Sequence, residues 1–354
     1  MTRYRDPIRG RGTNAAPKNR FEAARFEPDT EIGFADDETP DPRSQFIPDA
    51  TKSALSKNQS PDVGFDVGLN PYRGCEHGCV YCFARPTHEY LGYSAGLDFE
   101  TRILVKHDLP QLLRAALSAK SWKPQTIGIS GVTDAYQPIE RKLEITRRSL
   151  GVLAEFRNPC AIITKSRLVV RDSDLLQELA RHEAVSVTIS LTTLDPELAR
   201  KMEPRAAQPR ARLFTIEQLA RAGVPVGVNL APIVPGLTEH EIPALVAAAA
   251  DAGAKWAGWQ LVRLPYAVKD LFAEWLAAHY PDRREKVLHR IADVRDGKLN
   301  ATDFGIRQRG TGLWSEQIAE LVALARRRSG VPASGPKLNA AAFRRPGTAQ
   351  LRLF

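Results

Sequence analysis

The chain has 354 residues, 43% hydrophobic and 26% charged, which is typical of a globular protein with one large domain or two small ones. No apolar run reaches the roughly 18 residues of a membrane span, and the start, MTRYRDPIRGRG, lacks the apolar core of a secretory signal, so we expect a cytoplasmic protein with no membrane partner. The formal net charge of +9 favours a polyanionic partner such as nucleic acid.

Composition divides the chain into four parts. Residues 1–60 are rich in Arg, Asp, Pro and Asn without sustained periodicity, and they predict a basic, extended, flexible N-terminal arm. Residues 61–300 alternate strand-like and helix-like patterns, and residues 301–330 hold a Gly-rich basic loop and a helix. Residues 331–354 are punctuated by Pro and Gly, which predicts a flexible tail.

The alternation in the middle of the chain predicts the fold class. The predicted strands are DVGLNP (66–71), TIGIS (126–130), CAIITK (160–165), VSVTIS (185–190), VPVGVNL (224–230) and WAGWQL (256–261). The predicted helices cover residues 109–119, 139–156, 174–182, 212–222 and 268–280, together with an Ala-rich helix near 244–254. Strands that alternate with helices of this length indicate an α/β protein with a parallel sheet, built as an open or partial (β/α) barrel of five or six units.

Three of the four cysteines lie in one segment, GLNPYRGCEHGCVYCFARPTHEY, with the spacing Cys75-x3-Cys79-x2-Cys82. The segment follows the first predicted strand, where a barrel places its chemistry. Gly74 and Gly78 favour a wrapped loop over a helix. Such a loop can bring three thiolates to three irons of one iron–sulfur cube, which leaves the fourth iron open for a small molecule.

One other interpretation of the cysteine segment stays open. The cluster could instead be a structural zinc site, with His77 or His88 as the fourth ligand, in a non-catalytic module that binds nucleic acid. The remaining cysteine, Cys160, begins a predicted strand and is expected to be a small buried hydrophobic residue at the opposite end of the barrel.

The cysteine spacing, with Tyr81 just before the third cysteine, resembles the radical S-adenosylmethionine (radical SAM) superfamily. The longer segments NPYRGCEHGCVYCFAR, GVTDAYQPIE (131–140) and ITKSRLVVRD (163–172) resemble the branch of that superfamily related to spore photoproduct lyase. The resemblance spans roughly residues 60–330. Within the branch, GRG…NRFE at Gly10–Glu22 resembles a bacterial group of uncharacterised members.

This resemblance implies a partial (β/α)6-type barrel and a defined chemistry. Cys75, Cys79 and Cys82 would hold a [4Fe–4S] cluster, and the amine and carboxylate of S-adenosylmethionine (SAM) would chelate the open iron. An external one-electron reductant would drive cleavage of a carbon–sulfur bond, and the resulting 5′-deoxyadenosyl radical would abstract hydrogen from the substrate. We expect that substrate to be nucleic acid, with DNA first and RNA or a protein side chain as alternatives.

Residues at the ends of the predicted strands suit the polar groups of SAM. In SGVTD (130–134), Thr133 and Asp134 offer oxygens to the ammonium and Gly131 allows close approach, although a capped turn would use the same residues. Lys165 could meet the carboxylate, or it could be a surface lysine.

Five more residues are candidates for the nucleoside part of SAM. Ser190, Thr192 and Asn229 suit ribose hydroxyls, unless they bond to nearby backbone. Tyr81 and Phe83 could pack against adenine or be buried in the core.

The sequence departs from spore photoproduct lyases at one position. Those enzymes carry a hydrogen-donating cysteine in the loop after the second strand, where this chain reads Ser-Gly-Val-Thr over residues 130–133. We therefore do not expect repair of the spore thymine dimer by that route. Tyr136 is a candidate for a hydrogen relay in its place.

Two charged segments have open roles. Arg205, Arg210 and Arg212 could clamp phosphates or solvate a loop. The Gly-rich segment FGIRQRGTGL (304–313) lacks the Lys-Ser/Thr ending of a phosphate loop, and it could line the substrate cleft.

The last five residues resemble the pentapeptide by which bacterial proteins bind the sliding clamp. They read Gln350-Leu351-Arg352-Leu353-Phe354, against the pattern Gln-Leu-x-Leu-Phe. Leu351, Leu353 and Phe354 could seat in an apolar pocket while Gln350 bonds at its rim. The alternatives are a tail that folds back on the barrel and a chance match.

Overall fold

A seven-stranded sheet forms the centre of the chain in the computed structural model, which describes residues 2–3, 8–21 and 43–346. Six parallel strands lie side by side in chain order: β1 (Val67–Leu69), β2 (Ile127–Ile129), β3 (Cys160–Thr164), β4 (Val185–Ser190), β5 (Val226–Ile233) and β6 (Ala257–Leu261). Leu55–Lys57 pairs antiparallel with β1 at one edge, and β6 forms the other edge.

A helix follows each parallel strand: α1 (Leu109–Ser118), α2 (Ile145–Phe156), α3 (Ser173–Ala180), α4 (Pro209–Arg221), α5 (Ile242–Asp251) and α6 (Gly312–Ser329). Apolar residues at helical spacing bury one face of each helix, as Leu109, Leu113 and Leu117 of α1 show. Helix α6, predicted as part of a separate C-terminal segment, packs against α5 and completes the sixth unit. The predicted fold class, a partial (β/α)6-type barrel, is confirmed.

Shorter helices, 3₁₀ turns and two small sheets lie outside these six strand–helix units. The additional α-helices are Leu97–Thr101, Glu140–Leu143, Pro196–Met202, Val268–His279, Arg284–Asp293 and Ile306–Arg309. The 3₁₀ turns are Arg85–Leu91, Arg167–Asp172, Glu239–Glu241, Pro281–Arg283 and Ala340–Ala342. Two small sheets join Thr2–Arg3 with Ala15–Ala16, and Arg102–Val105 with Gln45–Pro48 and Tyr72–Arg73.

The helix predicted over residues 139–156 is broken in two. Glu144 takes a left-handed conformation with φ of 52° between the two pieces. The buried carboxylate of Glu140 accepts hydrogen bonds from the backbone N–H of Thr146 at 3.0 Å and from Arg171 at 2.9 Å. This buried carboxylate binds the start of α2, so helix formation begins again after Glu144.

The described parts of the predicted arm and tail pack against the barrel. Within residues 1–60, Lys and Arg are matched by as many Asp and Glu, so the arm is not basic overall. Residues 331–346 cross the amino ends of the strands: the N–H of Ala257 donates to the carbonyl of Pro332 at 3.0 Å, and the N–H of Arg344 donates to the carbonyl of Phe156 at 2.8 Å.

The clamp-like residues 350–354 lie outside the described residues. None of the helices in the described ranges combines the length and apolarity that a membrane crossing requires.

Candidate active site

A cavity of about 490 Å³ opens at the carboxyl ends of the parallel strands. It is lined by ten residues that the sequence predicted for the cluster and for SAM: Cys75, Cys79, Tyr81, Cys82, Gly131, Thr133, Asp134, Lys165, Ser190 and Asn229. Phe83 also lines it, whereas Thr192 does not, because its hydroxyl donates to Glu203. The ten residues come from the loops after β1, β2 and β3 and from β4 and β5 themselves. The parallel sheet brings them together because the carboxyl ends of its strands meet at one edge.

The cysteine loop after β1 wraps as its glycines predict. Gly74 and Gly78 have φ of 83° and 67°, which the left-handed turns on either side of Cys75 require. The N–H of Cys75 donates to the carbonyl of Phe99 at 2.8 Å, which ties the loop to the helix behind it. Cys75 and Cys79 are buried and the third thiol is half-buried.

A buried glutamate holds the loop from one side. The carboxylate of Glu76 pairs with Arg205 at 3.1 Å and accepts the backbone N–H of Ile139 at 2.8 Å. The N–H of Glu76 in turn donates to the side-chain oxygen of Gln137 at 2.9 Å. Arg205, which the sequence left open as a phosphate clamp, therefore contributes to a structural ion pair.

A buried arginine holds the loop from the other side. Arg85 donates to the carbonyl of Cys79 at 3.0 Å and pairs with Glu100 at 2.5 Å, with both side chains fully buried. Burial raises the pKa of Glu100, against the effect of Arg85. Glu100 also accepts the backbone N–H of Gly12 at 2.9 Å, so a residue of the N-terminal arm joins this network.

Tyr81 belongs to a second buried network next to the cavity. Its hydroxyl donates to Glu203, which pairs with Arg212 and accepts the hydroxyl of Thr192 at 2.8 Å. Burial opposes ionisation of Glu203, but the charges of Arg212 and then Lys165 hold its pKa below the ordinary value. Arg212 is thus a buried partner of a carboxylate and not a phosphate clamp.

Asp134 and Thr133 already bond to the protein. The Asp134 carboxylate accepts the N–H of Lys165 at 2.8 Å, the N–H of Tyr136 at 2.9 Å and the hydroxyl of Thr164 at 2.7 Å. The Thr133 hydroxyl donates to a backbone carbonyl at 2.9 Å. The capped turn that the sequence left open is therefore present, and Asp134 joins the loop after β2 to the end of β3.

Three other lining residues present polar groups that remain available. The Lys165 ammonium lies 5.9 Å from the ring centroid of Tyr81 and has no carboxylate at ion-pair distance within the described part of the chain. The side chains of Ser190 and Asn229 form no hydrogen bond with any residue that the structure describes. One cation and two neutral polar groups thus face the same space as the thiols.

Two residues considered in the sequence lie away from the cavity. Tyr136 is fully buried in the apolar core; burial, and then the carboxylate of Asp172, raise its pKa well above the ordinary value. Its candidacy as a hydrogen relay therefore has no support in the geometry. Cys160 is fully buried at the start of β3, as expected, and burial raises its pKa to about 12.

The two histidines of the zinc alternative are already engaged. His88 donates from Nε2 to the carbonyl of Arg102 at 2.9 Å and does not line the cavity. His77 lines it, with Nδ1 3.4 Å from the Asp134 carboxylate. Within the described ranges, no three His, Cys, Asp or Glu side chains converge as a single bound metal ion requires. The donor set at the cavity is three thiols, which fits a cluster with one open iron.

Sequence reasoning missed part of the cavity lining. Arg263 and Gln260 come from β6 and the loop after it, and Phe65 and Asn70 flank β1. The sequence indicates these residues only through their position in or next to predicted strands. Arg307 and Gln308, of the segment FGIRQRGTGL that could line the substrate cleft, also line the cavity.

Comparison with known proteins places the chain in a family. The model of the Radical SAM superfamily matches residues 69–249. An uncharacterised protein of Mycobacterium tuberculosis is 38% identical over 234 residues, which cover 65% of this chain and 69% of that protein. An uncharacterised protein of Methanocaldococcus jannaschii is 30% identical over 197 residues, which cover 56% of this chain and 71% of that protein.

Solved structures of spore photoproduct lyase have a similar fold. One complexed with dinucleoside spore photoproduct gives a TM-score of 0.57 at 13% identity, covering 80% of this chain and 79% of that chain. A mutant with bound AdoMet and dinucleoside spore photoproduct gives 0.56 at 13% identity, covering 80% of this chain and 78% of that chain. The chain therefore belongs to the radical SAM superfamily, whose enzymes use a [4Fe–4S] cluster and S-adenosylmethionine, and it is an enzyme of that kind.

Proposed function

We propose that Cys75, Cys79 and Cys82 hold the cluster, that the rest of the cavity binds SAM, and that the enzyme acts on DNA. One observation carries the first two assignments: ten residues chosen from the sequence, which come from five different parts of the barrel, line one cavity. A chance set of polar residues would be spread over the surface.

Each lining residue has a role that its geometry permits. Lys165 takes the SAM carboxylate, and the turn at Gly131, Thr133 and Asp134 surrounds the ammonium with oxygen atoms. Ser190 and Asn229 bond to the ribose hydroxyls. A cluster held by Cys75, Cys79 and Cys82 would supply the one-electron reduction by which a carbon–sulfur bond of SAM is cleaved.

The Tyr81 ring has a fixed position beside the proposed nucleoside. Its hydroxyl is held by Glu203, and Arg212 and Thr192 hold the Glu203 carboxylate in turn. A ring fixed in this way can stack on adenine with little further loss of side-chain conformational entropy.

Two observations support DNA as the substrate. The formal net charge is +9, and the spore photoproduct lyases of similar fold were solved with a dinucleoside lesion. No thiol occurs in residues 130–133, and Cys160 lies at the far end of β3, so a cysteine is not the hydrogen donor here. The reaction on DNA therefore differs from cysteine-dependent lesion repair.

We also propose a cytoplasmic location and recruitment to DNA through the sliding clamp. The support for recruitment is the sequence of residues 350–354 alone. Binding to a clamp would keep the enzyme close to DNA, and its net positive charge would add a weak, salt-sensitive contact with the phosphates. Because the two binding events are linked, each interaction can be weak.

The experiment that tests the function measures 5′-deoxyadenosine. The anaerobically reconstituted enzyme, supplied with SAM and a one-electron reductant, is expected to release it, and Cys79→Ala is expected to release none. Deuterated DNA should transfer deuterium into the product. Release of 5′-deoxyadenosine without deuterium transfer from DNA, but with deuterium transfer from deuterated RNA or a protein substrate, would contradict the DNA assignment. If no 5′-deoxyadenosine is released, SAM cleavage is contradicted.

A further inference from the structure

The mouth of the cavity carries an arginine whose charge is not matched. Arg263, in the loop after β6, lies with its guanidinium carbon 5.0 Å from the ring centroid of Phe83. Its Nε is buried and has no hydrogen-bond partner among the described residues. Burial, and then the positive charge of Arg307, lower the pKa of Arg263. A bound anion would relieve both effects.

Among the residues that the structure describes, no carboxylate lies at ion-pair distance from this arginine. Asp62, whose charge acts to raise the pKa of Arg263, pairs with Arg307 at 2.5 Å and accepts the N–H of Gly305 at 2.6 Å. Lys57 adds another cation to the lining. The mouth is therefore cationic, and the position suits one phosphate.

Exposed aromatic rings continue from the mouth across the surface. Phe83 is 44% exposed, and Tyr266, three residues after Arg263, is 56% exposed. Arg20 of the N-terminal arm lies 3.6 Å from the Tyr266 ring centroid, and Phe21 stacks on Tyr90 at 4.8 Å. Two arginine–aromatic groups, Phe83 with Arg263 and Tyr266 with Arg20, Phe21 and Tyr90, are thus joined by the short loop from Arg263 to Tyr266, and we call these six residues the stripe.

The arm is held in place to form this stripe. The side chain of Asn19 is buried and donates to the carbonyls of Glu89 at 2.9 Å and Tyr93 at 3.2 Å. Arg20 pairs with Glu89 at 2.6 Å. The NRFE segment noted in the sequence therefore presents its arginine and phenylalanine at a defined place.

We propose that the stripe binds one strand of unpaired DNA and leads it into the cavity, with Arg263 on a phosphate and Phe83 stacked on a base. Phe83 keeps 44% of its surface exposed although Arg263 lies against it, and an exposed ring face can stack on an unpaired base, whereas bases inside a duplex are already stacked. Chemistry on a base also requires that the base leave its stack and its pair, which an unpaired strand does at lower cost. The inference rests on the proposed function and specifies the form of its substrate.

The test compares a fluorescent oligo(dT) with a duplex of the same length, by anisotropy against salt concentration, using the full-length protein. Phe83→Ala is expected to weaken single-strand binding about tenfold without changing the salt slope, because it removes stacking. Arg263→Gln is expected to weaken binding and to lower the slope by about one phosphate contact. Phe83→Trp and Arg263→Lys should retain binding, because they keep the ring and the cation, and a melting temperature equal to that of the wild type shows that Phe83→Ala and Arg263→Gln fold.

A second arginine–aromatic pair provides the matched control. Arg167 lies 5.6 Å from the ring centroid of Phe214, which is 43% exposed, and neither residue lines the cavity. Arg167→Gln and Phe214→Ala should bind the single strand as the wild type does.

Equal single-strand affinity in the wild type, Phe83→Ala and Arg263→Gln, or tighter binding of the duplex than of the single strand, would overturn the proposal. Release of 5′-deoxyadenosine without DNA is measured on the same preparations. If that release is normal and the stripe variants bind normally, only the stripe is wrong. If release is absent, the proposed function fails independently of the binding result.

Discussion

The backbone of Gly12 lies directly against the backbone of Gly78, in the middle of the cysteine loop. A Cβ on Gly12 would stand 1.7 Å from the Gly78 carbonyl oxygen. No side chain can be accommodated at this distance without moving the loop or the arm. The GRG segment of the arm is therefore part of the support for the three thiols, although it lies more than sixty residues before them.

This contact leads to the first prediction. Gly12→Ala should reduce the iron and sulfide bound after anaerobic reconstitution and lower the melting temperature of the unloaded protein, because the arm must withdraw from Gly78 and Glu100. Gly64→Ala is the control, since a Cβ on Gly64 meets nothing within 4 Å. Wild-type iron content and stability in Gly12→Ala would show that the arm does not support the loop.

The second prediction concerns the thiols. Replacing Cys75, Cys79 or Cys82 by Ala should each abolish cluster assembly, measured by iron content and visible absorption, and Cys160→Ala should leave both largely intact. Because burial raises the pKa of Cys160 to about 12, its thiol stays protonated at pH 8. It should therefore resist alkylation in the native protein and react only after unfolding. Unchanged iron in Cys79→Ala would reject the assignment.

The third prediction distinguishes Lys165 from Asp134, both of which the sequence analysis assigns to SAM binding. Lys165→Met should keep the fold and weaken SAM binding, since a charged hydrogen bond contributes about 1.5–3 kcal/mol. Asp134→Ala should also lower thermal stability, because the donors of Lys165, Tyr136 and Thr164 lose their acceptor. Calorimetry and thermal melts distinguish the two effects. SAM affinity equal to wild type in Lys165→Met would place the carboxylate elsewhere.

The fourth prediction concerns the buried pair beside Tyr81. Arg212→Met leaves the Glu203 carboxylate buried without its cation, which should cost about 3–5 kcal/mol of unfolding free energy in urea titrations. The double variant Arg212→Met with Glu203→Gln removes the uncompensated charge and should recover much of the loss. Equal stability of the single and double variants would show that the charge is compensated by another group.

The fifth prediction concerns the C-terminal residues. A peptide of Pro346–Phe354 should bind a bacterial sliding clamp with micromolar-order affinity, about 8 kcal/mol. Leu353→Ala with Phe354→Ala should abolish binding, because these side chains bury the most apolar area. In the full chain the same change should leave cluster content and SAM cleavage unaffected. A full-length protein that shows no clamp binding at low salt would remove the main support for recruitment.

The sequence alone determined those features whose physical cause is local. Each strand is a short apolar run and each helix an amphipathic repeat, so the β–α alternation predicted the barrel and the edge at which its chemistry lies. The spacing of Cys75, Cys79 and Cys82, with glycines between, likewise specifies a wrapped loop with three thiols. Residues at strand ends could then be expected to meet.

Only the tertiary structure decided which of these residues are already engaged. Arg212 appears in the sequence as an open cation, but Glu203 neutralises it, and the carboxylate of Asp134 binds backbone donors that no sequence pattern indicates. Gly12 and Gly78, and Arg263 and Phe83, are distant in the chain and meet only when the barrel forms. Contacts of this kind depend on how elements pack, and packing leaves no local periodicity in the sequence.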